Sequence, residues 1–336
     1  MENLSVIVPI YNKEEFLNKS LSSLLNGIDS HTEILLIDDH STDDSFPIAE
    51  DFSKKDSRVK LLRNKENRGV SYTRNKGIKE AKGEYVGFFD ADDEVDYGFY
   101  TKLFESAFST NVKPDIVVGG FQCIDVDNLQ ISFPTLPILV DGYSFSLQRR
   151  KFASRETYSC CNKIYHKPFL ERKYFPDYIK EDVYFHYWTM RDAQSVLENR
   201  KTNYYYHPQN NGRNLSYDNL PNGNFYDFVE GYEWLKKRIG SGEDLLSSFH
   251  EAQKRYFLTY VQSIASWHIP IDNQIDLIGT MIDYCMRVHR MDLDFLDRVS
   301  LQFYQLYREK YPDSSLDYLV KKLERLSYNY PNRRRK

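Results

Sequence analysis

The chain has few cysteines, and they form no pattern that holds metal or builds a disulfide framework. Its four cysteines are Cys123, Cys160, Cys161 and Cys285, spread over 336 residues without Cys-x-x-Cys spacing. Structural zinc sites and disulfide-rich folds both require denser or more regular cysteines. We therefore expect reduced thiols.

Long apolar runs and an excess of charge of one sign are also missing. No run approaches the roughly 20 apolar residues that a membrane-spanning helix needs. The formal net charge is −4, with both signs mixed along the chain, which argues against a general nucleic-acid binder. Residues 1–4 lead into a strand-like run without a basic region or cleavage site. We expect a cytoplasmic protein with no nucleic-acid partner.

Aromatic residues, in contrast, are abundant, with 27 Tyr and 21 Phe. Such rings can stack on sugars or bases, but most of them fill protein cores, where a tyrosine satisfies a single hydroxyl. We therefore interpret most of these rings as packing residues.

Strand-like and helix-like segments alternate through the first 96 residues. The predicted strands are apolar runs, as in strands buried on both faces, and cover residues 4–10, 33–37, 59–62 and 85–89. Between them lie helix-like segments, and Asn12 with Glu15 is predicted to begin the first. This alternation predicts an α/β fold, Rossmann-like, whose mostly parallel central sheet carries helices on both faces.

The later chain has a different pattern. We predict helices over residues 99–108 and 180–192 and a strand over 196–206, followed by a loop rich in Asn, Gly and Pro. From Phe225 onward amphipathic helices are expected. Because 336 residues exceed one typical compact core, we predict an α/β domain over residues 1–220 and an α-helical C-terminal domain over 221–336.

A cluster of carboxylates follows the fourth predicted strand. Asp90, Asp92 and Asp93 come directly after Phe88 and Phe89, where a strand leaves the sheet at its ligand-binding edge. Two carboxylates on either side of a small residue, Ala91, suit a hard divalent cation that also holds substrate phosphates. The alternative is a solvated acidic turn.

Two further groups fall at the same edge. Asp38 and Asp39 follow the second strand, where they can accept hydrogen bonds from a base or a ribose hydroxyl. Arg68 and Arg74 flank the start of the third helix, where positive charge favours a phosphate. Arg74 is the better candidate, because it lies a turn inside a helix that packs on the sheet.

Four segments in succession resemble the family 2 glycosyltransferases of the GT-A fold. They are residues 5–12 (SVIVPIYN), 37–43 (IDDHSTD), 69–77 (GVSYTRNKG) and 89–93 (FDADD). The resemblance covers roughly the first 120 residues, and four motifs in order make it specific. It implies an inverting, metal-dependent enzyme that moves a hexosyl or N-acetylhexosaminyl group from a nucleotide diphosphate, in most members a UDP-sugar.

The resemblance also implies roles for individual residues. Pro9, Tyr11 and Asn12 would line the base and ribose, Asp39 or Asp38 would meet the base, and Arg74 would lie beside the nucleotide. Asp90, next to Ala91, would contact the ribose side of the donor. Asp92 would be the ligand of Mn²⁺ or Mg²⁺.

The family uses a later carboxylate as general base, commonly in a Glu-Asp pair that opens a helix. Glu181-Asp182 matches this pattern, and Asp182 is the predicted base. Alone, such a pair is more often an N-terminal helix feature. Asn162 and Lys163 resemble the family's acceptor-side segment and are candidate substrate contacts.

A loop from Tyr206 to Ser216 resembles the segment that closes over the diphosphate. His207 and Arg213 are its candidate phosphate contacts. An Asn-rich insertion departs from the family's usual basic-Gly-Ser pattern here, so both residues stay open as the phosphate ligand.

The resemblance implies a glycan, lipid-linked or glycoprotein acceptor in the synthesis of a bacterial surface polysaccharide or glycoconjugate. The C-terminal helices are candidates for acceptor binding or for a homo-oligomer contact. The basic tail, residues 333–336, is a candidate for peripheral contact with the inner membrane surface, although a solvated terminus is the simpler interpretation.

Two alternative functions remain. One is a carbohydrate- or protein-binding module that keeps the fold without turnover, which intact carboxylates argue against. The other is a sugar-1-phosphate nucleotidyltransferase, which would need a glycine-rich loop after the first strand; residues 11–15 contain no glycine.

Overall fold

The computed structural model describes residues 3–124, 138–140, 144, 158–178, 181–207, 231 and 234–239. The chain divides into two units, Met1–Leu245 and Leu246–Lys336, and every described residue belongs to the first. The predicted helical domain over residues 221–336 therefore lies largely outside the described residues and stays a prediction. Among the described residues, no helix combines the length and apolar character needed to cross a bilayer.

Strands and helices alternate through the first part of the described chain, as predicted. In order, the elements are β1 (Leu4–Ile10), α1 (Glu14–Leu25), β2 (Thr32–Asp38), α2 (Ser45–Lys55), β3 (Val59–Arg63), α3 (Gly69–Glu80), β4 (Tyr85–Phe88), β5 (Glu94–Val95), α4 (Phe99–Ala107), β6 (Ile116–Cys123), β7 (Ile138–Val140), β8 (Lys163–His166), α5 (Lys167–Leu170), α6 (Glu181–Asp192) and β9 (Val196–Tyr206).

These strands form one sheet in the order β3-β2-β1-β4-β8-β6-β9-β5, with β7 paired to β9. The first four strands are parallel neighbours, and β9 runs parallel to β6, whereas β8 is antiparallel to both β4 and β6. Residues of β1 and β2 are almost all buried, which explains their continuous apolar sequence. The mostly parallel sheet is confirmed.

Gly87 in β4 lets a buried tyrosine pass close to the sheet. A Cβ at this position would lie 2.9 Å from the ring of Tyr100. The Tyr100 hydroxyl contacts the carbonyls of Phe88 and Cys161, at 2.5 Å and 3.0 Å. One side chain of α4 therefore ties the end of β4 to the segment that leads into β8.

Many of the described aromatic rings are buried, in agreement with their interpretation as packing residues. Tyr85, Tyr100, Tyr165, Tyr184 and Tyr204 are all fully buried or nearly so. Each of these rings adds a large apolar surface to the core, and its hydroxyl still needs a polar partner.

One predicted helix start is wrong. Asn12 does not cap α1, which begins at Glu14 after Lys13 without a side-chain cap. The Asn12 side chain instead accepts a hydrogen bond from the backbone N–H of Thr42 at 2.9 Å. It thereby joins two loops, and its own backbone adopts the left-handed conformation, with φ of 51°.

Candidate active site

The carboxyl ends of β1, β2 and β4 lie side by side, and each is followed by polar residues. Tyr11 follows β1, Asp39 follows β2, and Asp90 lies two residues beyond β4. Ligands of open α/β sheets bind just outside this edge, so it is the candidate active site. Tyr11 is 40% exposed, which leaves its ring available to a planar group.

Asp39 organises the start of α3. Its Oδ1 accepts hydrogen bonds from Asn64 Nδ2 at 2.7 Å and from the backbone N–H of Arg68 at 2.9 Å, and its Oδ2 accepts from the N–H of Gly69 at 2.7 Å. The side chain is 3% exposed. Three donors therefore fix this carboxylate, and through it the loop that precedes α3.

Asp38 performs a similar task for its own loop. It is fully buried, and its Oδ2 lies 3.0 Å from Arg63 Nε and accepts from the N–H of Ser41 at 3.2 Å. The two acidic residues thus hold two different backbone segments. Pro9 is partly buried within β1.

Arg74 joins the donor-side carboxylate to a residue far along the chain. Its guanidinium donates to Asp90 Oδ1 at 2.7 Å and to Glu181 Oε1 at 2.5 Å, and it lies 5.2 Å from the ring centre of Phe175. Burial alone would lower the pKa of Arg74, but the neighbouring negative charges, Asp90 and Glu181 among them, raise it well above its ordinary value. Arg74 therefore carries a permanent charge at the centre of the site.

Asp92 forms an ion pair of its own. Lys13 Nζ lies 2.5 Å from Asp92 Oδ2, with 25% of the lysine side chain and 16% of the aspartate side chain exposed. The lysine reaches over from the loop after β1. This pair links the residue that follows the first motif to the fourth motif of the sequence.

Asp93 is the buried member of the carboxylate cluster. Its Oδ2 accepts from the hydroxyl of Tyr204 at 2.6 Å and its Oδ1 from the backbone N–H of His207 at 2.9 Å. Burial, followed by the charges of Asp92 and Asp90, raises the pKa of Asp93 well above its ordinary value. Asp93 shapes the turn, as its position suggests, and also anchors the chain that leaves β9.

The donor set fits a hard divalent cation. Asp90 and Asp92 present partly exposed carboxylate oxygens, the ligand type that Mg²⁺ and Mn²⁺ favour. No group of three or more acidic, His or Cys side chains surrounds a metal position within the described residues. A cation at Asp92 would therefore take remaining ligands from water and from the phosphates of a substrate.

The Glu-Asp pair opens helix α6 on the other side of the site. Glu181 is the partner of Arg74, while Asp182 Oδ1 accepts from the backbone N–H of Val183 at 2.9 Å. Both side chains are partly exposed. The structure thus brings the predicted base to within one residue of the Arg74 network.

Asn162 and Lys163, the candidate acceptor contacts, are fully buried. Lys163 Nζ donates to Ser159 O at 2.5 Å and to Asn162 Oδ1 at 2.7 Å. Asn162 Nδ2 donates to the carbonyl of Gly119 at 3.0 Å. Asn162 thus joins the start of β8 to β6, and Lys163 holds Asn162 and Ser159. The burial of both residues favours a role in the fold over direct contact with an acceptor.

Of the two candidate diphosphate ligands, only His207 lies within the described residues. The Nε2 of His207 lies 2.8 Å from Glu94 Oε1, beside the carboxylate turn, whereas Arg213 lies outside the described residues. Ala91 is 2% exposed and serves as the small spacer between Asp90 and Asp92.

For three residues of this network, the sequence predicts no role. Lys13 follows Asn12 directly, and its basic character next to a nucleotide-type motif is a usable signal. Glu181 carries a weaker one, as the partner of Asp182 in a Glu-Asp pair. Tyr204 belongs to a run of tyrosines and gives no signal, because only the register of β9 places its hydroxyl on Asp93.

Comparison with known proteins shows the family to which the chain is similar. The model of the family described as "Glycosyl transferase family 2" matches residues 5–173, about half of the chain. The chain is 42% identical over 118 residues to the uncharacterized glycosyltransferase EpsJ of Bacillus subtilis, covering 35% of this chain and 33% of that protein. It is 30% identical over 237 residues to a poly(ribitol-phosphate) beta-glucosyltransferase of Bacillus spizizenii, covering 68% of this chain and 36% of the relative.

The chain spans less than two thirds of the length of these curated relatives. Among solved structures, S. aureus TarS in complex with UDP superimposes with a TM-score of 0.54 and 19% identity, covering 98% of this chain and 91% of that one. TarS has also been crystallised with UDP-GlcNAc. At this identity the likeness shows the fold, and the predicted GT-A architecture is confirmed.

Proposed function

Because this chain belongs to glycosyl transferase family 2, we propose that it is an inverting glycosyltransferase that uses a UDP-sugar as donor. The observation that carries the proposal is the Arg74 bridge, in which one buried guanidinium binds Asp90 on the donor side and Glu181 beside the predicted base. A transferase needs both sides at one place, and a binding module does not.

The donor side would hold the nucleotide. Tyr11, with Pro9 and Asn12 beside it, would face the base and ribose, and Asp39 would meet the base, with Asp38 behind it. Asp90 would contact the ribose, and Arg74 would position Asp90. UDP and UDP-GlcNAc in the TarS structures support a uridine nucleotide.

Asp92 would hold Mn²⁺ or Mg²⁺. When bound, such a metal acts as a Lewis acid that stabilises negative charge on a leaving diphosphate. His207, which follows β9, and Arg213 would lie over the phosphates. The anchoring of the His207 backbone by Asp93 supports this placement for the start of the loop.

Asp182 would act as the general base. It removes the proton of the acceptor hydroxyl as that oxygen attacks the anomeric carbon from the face opposite the diphosphate. The bond between the anomeric carbon and the diphosphate oxygen breaks, the nucleoside diphosphate leaves, and the configuration inverts. Asp182 keeps the proton until solvent removes it.

The relatives support an acceptor in a bacterial surface polymer. One is named for glucosyl transfer to poly(ribitol-phosphate). We accordingly propose a glycan, lipid-linked or glycoprotein acceptor and a hexosyl or N-acetylhexosaminyl donor, and we propose that the chain acts in the cytoplasm.

A panel of nucleotide sugars tests the proposal. Sugar release should occur with one UDP-sugar, should depend on added Mn²⁺ and should disappear in Asp92→Ala. Binding of a ligand to the native state must raise the melting temperature. If no nucleotide raises it, even with metal, the chain is not a nucleotide-sugar enzyme, and the carbohydrate-binding alternative gains support.

A further inference from the structure

Lys13 contacts Asp92, the proposed metal ligand, and covers part of its carboxylate. Its backbone N–H donates to Ser45 Oγ at 2.6 Å, and the preceding residue, Asn12, is tied to the loop after β2 through Ser41 and Thr42. The backbone of Lys13 is therefore fixed, and its side chain spans the edge of the sheet to reach Asp92.

The two cations of the carboxylate cluster are held in different ways. Arg74 has a side chain that is 5% exposed and contacts two carboxylates at once. Lys13 has a side chain that is 25% exposed and contacts Asp92 with its ammonium. A lysine side chain carries a compact charge on a flexible four-carbon stem, whereas the guanidinium group of arginine is planar and rigid. If a metal ion displaces one of these two cationic side chains from the carboxylates, Lys13 is the one that can move.

We propose that Lys13 is a displaceable counter-ion of Asp92, which makes binding of the divalent metal depend on binding of the donor diphosphate. This inference rests on the proposed function of Asp92. A metal that binds without nucleotide must remove the ammonium from the carboxylate and leave it near a divalent cation. A metal that arrives with a diphosphate meets no such cost, because the phosphate oxygens offer Lys13 a new partner.

Coupling of this kind is reciprocal. If UDP raises the affinity for Mn²⁺ by a given factor, Mn²⁺ raises the affinity for UDP by the same factor. The Lys13–Asp92 pair therefore disfavours binding of the metal alone. The cost is smaller for the complete metal-nucleotide complex, in which Lys13 can contact the phosphates.

Calorimetric titration of the full chain with Mn²⁺, without and with saturating UDP, tests the proposal. Without UDP, Lys13→Met should bind Mn²⁺ about tenfold more tightly than the wild type, since a charge-assisted pair no longer competes. With UDP the advantage should shrink or reverse, because the variant also lacks a cation for the diphosphate. The factor by which UDP raises the Mn²⁺ affinity should therefore fall.

Lys19→Met is the matched control. Lys19 pairs with Glu94 at 2.6 Å and is 73% exposed, so its removal takes one positive charge from the same neighbourhood without freeing Asp92. Its Mn²⁺ affinity should change less than about twofold, because exposed pairs interact weakly. An equal gain in both lysine variants would indicate a general charge effect and overturn the proposal.

Asp92→Asn separates this inference from the proposed function. If wild-type binding of Mn²⁺ requires Asp92 but Lys13→Met does not tighten it, the counter-ion role is wrong and the metal site stands. If Asp92→Asn binds Mn²⁺ as the wild type does, or no variant binds it with or without UDP, the metal assignment fails, and the role of Lys13 fails with it.

Discussion

The proposed donor side and the proposed acceptor side of the site are built from different interactions. On the donor side, motif side chains bond to backbone groups: Asp39 accepts from two N–H groups at the start of α3, and Asn12 accepts from Thr42. On the acceptor side, rings pack: Phe175 and Phe185 stack with centroids 3.9 Å apart, and Phe88 meets both edge-on.

This difference determines which amino-acid substitutions each side can tolerate. A hydrogen-bonded loop depends on particular acceptor atoms, because an unpaired buried donor is costly. An aromatic cluster tolerates hydrophobic substitutions of similar volume. We infer that the donor side is the restricted half of the site, and that changes in acceptor can accumulate around α6 without loss of the nucleotide site.

The largest expected effect is on the rate of the chemical step, which should depend on the acceptor side. Asp182→Asn should lower kcat by about 10²–10⁴-fold, the usual contribution of a general base, while affinity for the donor nucleotide is retained. Steady-state kinetics would measure this, with a nucleotide sugar from which the wild type releases sugar. The exposed Asp177→Asn, on the segment before α6, is the control, and an equal loss there would argue against a specific role for Asp182.

The next effect concerns the residue that joins the sides. Arg74→Met leaves Asp90 and Glu181 without their shared cation and should lower the free energy of unfolding by about 3 kcal/mol, the low end for a buried ion pair, because both carboxylates are partly exposed. Urea denaturation would measure it. Arg68→Met, at the exposed start of the same helix and 3.5 Å from Glu66, should cost less than about 1 kcal/mol. Similar losses in both variants would mean that Arg74 is not the structural bridge.

A smaller effect is expected where residue 231 meets α6. A Cβ on Gly231 would lie 2.5 Å from the ring of Tyr184, which is fully buried two residues after Asp182. Gly231→Ala should therefore destabilise the protein by about 1–3 kcal/mol through overpacking. Thermal unfolding would show the loss, and the exposed Lys237→Ala should leave stability within about 0.5 kcal/mol of the wild type. An unchanged Gly231→Ala would place this segment away from α6.

The smallest effect is a pH dependence on the acceptor side. Burial, followed by the charge of Lys163, lowers the pKa of His186 well below its ordinary 6.5. Because the unfolded state then binds a proton that the folded state does not, stability present above pH 6.5 is lost as the pH falls below it, by about 1.4 kcal/mol per pH unit.

His186→Phe should remove this part of the acid sensitivity, measured as unfolding free energy between pH 5 and pH 7. The exposed His31→Gln should leave the slope as it is. A wild-type slope that persists in His186→Phe would assign the sensitivity to another group.

The positions of the proposed donor-side residues can be predicted from the sequence to a large extent, whereas their roles stay predictions. Asp38, Asp39, Arg74 and Asp90 come from short motifs that follow apolar strands, and parallel strands bring their carboxyl ends to one edge. Local sequence therefore gave both the element and the position. Only the predicted helix start at Asn12 is wrong, because its side chain contacts Thr42 in a loop 30 residues away.

The acceptor side was less predictable. Glu181 and Asp182 stand out as a pair at a helix start, but their opposition to Arg74 depends on packing between α6 and the sheet. Lys163 looked like a ligand contact and is buried with Asn162 as its partner. Long-range packing decides such cases, and a basic side chain alone does not reveal it.

One measurement tests the assignment of donor binding to one side and of the general base to the other. It is the shift of melting temperature caused by UDP with Mn²⁺. We predict that Asp182→Asn keeps the wild-type shift, since the base does not hold the donor, and that Asp92→Asn loses most of it. A full shift in Asp92→Asn together with a lost shift in Asp182→Asn would contradict the assignment of donor and acceptor sides.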